Sequence, residues 1–75
     1  MKSIEIKISS PENVKEFVKI VSRCAYDIDL REGRHVVDAK SILGIFSLDL
    51  SKSLLLEIFS DDCKDLLNKL RPFLY

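Results

Sequence analysis

The stretch Gly33-Arg34-His35-Val36-Val37-Asp38-Ala39-Lys40-Ser41-Ile42-Leu43-Gly44-Ile45-Phe46-Ser47-Leu48 changes its pattern halfway along, and that change decides how the chain is built. Glu32-Gly33 reads as a hairpin turn, because glycine reaches positive φ without steric cost. His35–Ala39 reads as a short strand after it. From Lys40 to Leu50 the chain is nearly all apolar, with serines at intervals. Ser41 can cap a short helix beginning at Ile42, with no room for more than two turns. A helix apolar on every side, in a domain this small, cannot hide all of itself. Ile42, Leu43 and Phe46 are therefore candidates for an exposed partner-binding patch.

Upstream, Ile4, Ile6 and Ile8 alternate with Ser3, Glu5 and Lys7, the period of a strand with one buried and one wet face. The alternation stops at Ser9-Ser10-Pro11. A serine before a proline is a helix start: the serine oxygen accepts from an orphan N–H, and proline fits where no intrahelical donor is needed. Glu12 follows in the first turn, where the helix dipole favours an anion. Val14, Phe17, Val18, Val21, Cys24 and Ala25 then keep helical spacing, with Lys15, Glu16, Lys19 and Arg23 on the opposite face. Tyr26, Ile28 and Leu30 alternate next and predict a strand running to about Arg31.

Downstream, Leu54-Leu55-Leu56-Glu57-Ile58-Phe59 reads as a central strand. Ser60-Asp61-Asp62 is expected to open the last helix with a capping serine and two acids. Cys63, Leu66, Leu67 and Leu70 form its apolar stripe, and Arg71-Pro72 ends it. Phe73 and Leu74 are expected to tuck back. The order is β-α-β-β-α-β-α in one domain, residues 1–75. It predicts an α+β fold with an antiparallel sheet covered by helices on one face and open on the other. Leu55 and Phe59 fall on the open face with Glu5, Lys7, Asp27 and Asp29, which makes the two apolar residues candidates for self-association.

Composition narrows the function. Twelve basic and twelve acidic side chains cancel in 75 residues, giving no long-range attraction for nucleic acid or an anionic membrane. No apolar run approaches the ~20 residues of a membrane span, and the opening residues alternate too soon for a signal peptide. A cytoplasmic location is expected. Cys24 and Cys63 form no Cys-x-x-Cys pair, and with one histidine there is no zinc spacing. Both are read as small buried hydrophobes. Paired carboxylates at defined spacing, a nucleophile with its base and a phosphate-cradling glycine loop are all missing, so neither an enzyme nor a cofactor or metal protein is expected.

The run from Gly33 to Leu48, with Ala39-Lys40-Ser41-Ile42-Leu43-Gly44 at its centre, resembles the HPr family of the bacterial phosphotransferase system. Phe17-Val18, the strand Leu54–Phe59 and the last helix fall in register with it. The resemblance implies an open-faced β-sandwich of four antiparallel strands with three helices on one face. It implies protein partners, of phosphotransferase-system or transcriptional-regulator type, docking on the short helix and the first one. It also implies a second role for Ser41, whose counterpart in many members is phosphorylated by a dedicated kinase.

One stretch departs from that family. There, Gly-Leu-His-x-Arg-Pro joins the first strand to the first helix, and its histidine carries the phosphoryl group. Here the joint is Ser9-Ser10-Pro11-Glu12-Asn13-Val14, shorter and without histidine or arginine. Glu12 puts a negative charge where the family receives a phosphoryl group, and a serine without an adjacent base is a poor nucleophile. His35, the only histidine, lies far along the chain and reads as a solvent-edge or half-buried strand residue. The expectation is a monomeric or weakly dimeric binding module that has lost the phosphocarrier step. An active phosphocarrier modified at an unusual position and a self-associating structural protein stand as the alternatives.

Overall fold

The computed structural model describes residues 1–75. The opening alternation forms strand β1 (Lys2–Ile6), and the amphipathic run forms helix α1 (Pro11–Val21). Strands β2 (Ile28–Glu32) and β3 (His35–Asp38) follow, then helix α2 (Ile42–Phe46), strand β4 (Leu54–Ile58), helix α3 (Lys64–Lys69) and a 3₁₀ turn at Arg71–Phe73. The four strands make one antiparallel sheet in the order β1-β4-β2-β3. β1 and β3 are its edges, and the expected α+β architecture stands.

The helices cover one face of this sheet. Ile6, Leu54, Leu56, Ile58, Ile28 and Leu30 point toward them and are buried, with Val14, Phe17 and Val21 of α1, Ile45 of α2, and Leu66 and Leu70 of α3 packed above. Ser10 caps α1 as its sequence implies: its Oγ accepts from the Asn13 N–H at 3.2 Å, and Pro11 occupies the first helical position. β2 and β3 join through the two residues Gly33-Arg34, with Glu32 opposite His35. Gly33 has φ +58°, a conformation that side chains with a Cβ rarely adopt.

Several element ends differ from the sequence reading, and each difference has a local cause. Ile8 is buried but lies beyond β1, whose last partner on β4 is Leu54, the first residue of that strand. Helix α1 stops at Val21, short of Cys24 and Ala25. The Ser22 N–H closes on Val18, the Cys24 N–H turns back to Val21, and Ala25 is left exposed. Cys24 is consequently half-buried rather than part of a helical stripe. Tyr26 precedes β2 instead of starting it: the pairing with β4 begins at Ile28 opposite Ile58, and the Tyr26 carbonyl accepts from the Lys40 ammonium. Ala39 lies in a turn, its N–H donating to the Ile28 carbonyl at 2.9 Å.

The largest displacement is at α3. The Ser60 hydroxyl does not cap a helix but bonds the Asp62 N–H at 3.2 Å in a tight turn. The helix begins four residues later, with Cys63 in the capping position and no side-chain cap bond. Beyond the 3₁₀ turn, Phe73 is buried while Leu74 and Tyr75 remain exposed. These last residues run along the outside of β1: the Phe73 carbonyl accepts from the Lys7 N–H at 2.7 Å, and the Tyr75 N–H donates to Glu5 at 3.2 Å.

The open face is a charged lattice. The register places Glu57, Asp29 and Asp38 side by side on β4, β2 and β3, and Arg31 offers its Nε to Glu57 at 3.2 Å. Burial first, then the charges of Asp38, Glu57 and Asp27, hold the Asp29 carboxyl above the ordinary aspartate value. A raised folded-state pKa means that ionised Asp29 opposes folding at neutral pH. That penalty fades as pH falls through the folded value, and it is gone below the unfolded value of 3.8. Asp29→Asn is expected to raise stability at pH 7 by roughly 0.5 kcal/mol, like charges on paired strands being worth about that. Urea denaturation at pH 7 and pH 3 checks the sign, with the gain present at the first and missing at the second.

Candidate functional site

Two neighbouring places bear on function: the joint between β1 and α1, and helix α2, which packs against both α1 and β3. At the joint, the Asn13 backbone N–H donates to Ser10 Oγ and the Asn13 Nδ2 donates to Ser9 Oγ at 3.1 Å. Both hydroxyls thus accept from one asparagine and close the helix end. Glu12 is exposed in the first turn. A side chain with a nitrogen lone pair is missing from Ser9 through Val14.

His35 lies elsewhere. The register carries the row Glu5–Leu55–Arg31–Val36 across the sheet, so His35 sits at the corresponding end but on the opposite edge. Three strand spacings separate β1 from β3, roughly 14 Å. His35 is exposed there and makes no hydrogen bond or ion pair with α1.

Helix α2 begins at Ser41, as its sequence implies. Ser41 Oγ accepts from the Gly44 N–H at 3.1 Å, its N–H donates to the Asp38 carbonyl at 3.0 Å, and its carbonyl accepts from Ile45. Gly44 permits a close approach: a Cβ there would stand 3.2 Å from both Ser41 Oγ and Val37 Cβ. Ile45 alone turns inward. Leu43 is 84% exposed, Ile42 40% and Phe46 44%, so all three patch candidates reach solvent together. Leu55 is half-buried and Phe59 46% exposed, both on the opposite side of the molecule, with Phe59 one residue beyond β4.

Lys40 has a part that its sequence does not announce. Its ammonium reaches back to donate to the Cys24 and Tyr26 carbonyls, each at 2.8 Å. One side chain thereby pins the α1–β2 connection to the residue preceding the α2 cap. Lys40→Met removes two charge-assisted bonds while keeping the aliphatic stem, and is expected to cost about 2 kcal/mol. Thermal denaturation should show this as a Tm about 10 °C lower. A shift of a degree or two would mean that water replaces the ammonium at no loss.

The family profile described as "PTS HPr component phosphorylation site" matches residues 4–74. The chain therefore belongs to the HPr family of the phosphotransferase system. Among solved structures, HPr-C-His from Thermoanaerobacter tengcongensis is similar at 28% identity and TM-score 0.78, over 93% of this chain and 86% of that one. The phosphocarrier protein HPr from Bacillus anthracis strain Ames is similar in fold, at 22% identity and TM-score 0.71, over 99% of this chain and 96% of that one. No curated protein matches. No helix is long and apolar enough to cross a membrane.

Proposed function

We propose that this chain is a regulatory or adaptor member of the HPr family, binding its partners without carrying a phosphoryl group on the usual route. The observation that supports it is the joint between β1 and α1. Ser9, Ser10, Glu12 and Asn13 stand where the family's histidine and arginine are expected, and the two hydroxyls already serve the helix end. Glu12 adds repulsion for an incoming phosphoryl group.

Binding falls to α2. Ile42, Leu43 and Phe46 offer an apolar surface to phosphotransferase-system proteins or to transcriptional regulators of the kind this family docks with. Ser41 at its cap is the candidate for a phosphate signal: added charge would meet the free N–H groups and positive end of the helix. Self-association through Leu55 and Phe59 is the weaker reading, because Glu5, Asp29, Asp38 and Glu57 share that face and would confront their copies.

The chain should be incubated with phosphoenolpyruvate and the general phosphotransferase enzyme. No acid-labile phosphate is expected on it. Stoichiometric phosphohistidine would instead make it a working phosphocarrier with an unusual acceptor.

A further inference from the structure

Cys24 and Cys63 take no part in that function, yet the fold brings them to one place. Both line a hollow of about 340 Å³ between the α1–β2 connection and the start of α3, together with Tyr26, Lys64 and Leu66. Both thiols are free, and they are the only two in the chain. Cys24 is half-buried in the α1–β2 connection, and Cys63 is 4% exposed in the capping position of α3. Tyr26, two residues beyond Cys24, lines the hollow with them. The Cys24 side chain beside it, then burial and the charges of Cys24, Cys63 and Asp62, push its phenol up to about 12. Three groups from two remote segments thus converge on one solvent-open cavity.

We propose that Cys24 and Cys63 are a redox pair that closes into a reversible disulfide in this hollow. The oxidant is a low-molecular-weight disulfide. The Cys24 thiol, the more accessible, gives up its proton and its thiolate attacks one sulfur of the oxidant, forming a mixed disulfide and releasing one small thiolate. Cys63 loses its proton and displaces the second small thiolate from Cys24. Two S–H bonds and one S–S bond are broken. One protein S–S bond is formed, and the two protons and two electrons leave on two small thiols. The new bond ties the exit of α1 to the entry of α3 and closes a ring that contains β2, β3, α2 and β4.

The test uses the whole wild-type chain. It is treated with excess oxidised glutathione, then denatured and alkylated with N-ethylmaleimide, and its intact mass is read. The expected species has lost two hydrogens and taken up no maleimide. Dithiothreitol should restore two alkylatable thiols, and the oxidised form should melt at least ~10 °C higher, since a long loop is closed in the unfolded chain. Two maleimides on the oxidant-treated chain, a stable glutathione adduct, or a bond formed only between two chains would each overturn the pairing.

Discussion

Phe17→Ala is expected to unfold a large fraction of the molecule at physiological temperature. Phe17 is wholly buried at the middle of α1, and its ring meets the edge of Phe73 at a centroid distance of 5.7 Å and an interplanar angle of 76°. Truncating a buried phenylalanine costs ~3–5 kcal/mol through lost transfer energy and the cavity left behind. A 75-residue domain without disulfide or metal keeps about that much in total. The loss is compounded here because Phe73 anchors the end of the chain, whose carbonyl bonds Lys7. Far-ultraviolet circular dichroism during urea denaturation measures it, and a cost below ~1 kcal/mol would mean that the helix layer repacks freely.

The next largest effect is a contrast between neighbours on β4. Leu56 is wholly buried at the centre of the sheet, opposite Ile4 on β1 and Leu30 on β2. Leu55, one residue before, faces the open side and is half-buried. Leu56→Ala is expected to cost ~2–5 kcal/mol, and Leu55→Ala less than ~1 kcal/mol. Denaturation midpoints of the two variants measured side by side give the answer. Equal losses would mean that β4 pairs in another register, since a one-residue slip exchanges the two faces.

Much of this architecture is legible in the residues because its signals are local. The isoleucine alternation, Ser10-Pro11 at the head of α1, Gly33 in the hairpin and Ser41 before α2 each act on groups within a few positions of themselves. The exposure of Ile42, Leu43 and Phe46 was also readable, from an apolar run longer than its small domain could cover. What sequence reasoning misplaced depends on partners far along the chain. Cys24 and Ala25 keep helical spacing, but the helix has already ended at Val21, the Cys24 N–H turning back to the Val21 carbonyl, and the connection beyond it is held by Lys40, sixteen residues from Cys24. Ser60 followed by two acids has the composition of a helix start, yet its hydroxyl settles on Asp62 in a turn. Lys40 itself reads as an ordinary surface cation, and only the fold shows what it holds. The meeting of Cys24 with Cys63 was likewise invisible, since it needs two segments 39 residues apart to be folded against one another.

The run of the last residues along the outside of β1 has a consequence for how copies of this protein can meet. Those residues already occupy backbone groups at Glu5 and Lys7, so that margin offers a newcomer no full ladder. Only β3 presents one. Strand-to-strand joining of two copies through β3 would use up the one full margin of each and yield an eight-stranded pair whose outer margins are already part-covered by the last residues. A concentrated solution is therefore protected from growing fibrils by this route, even where the chain's zero net charge would do little to keep molecules apart.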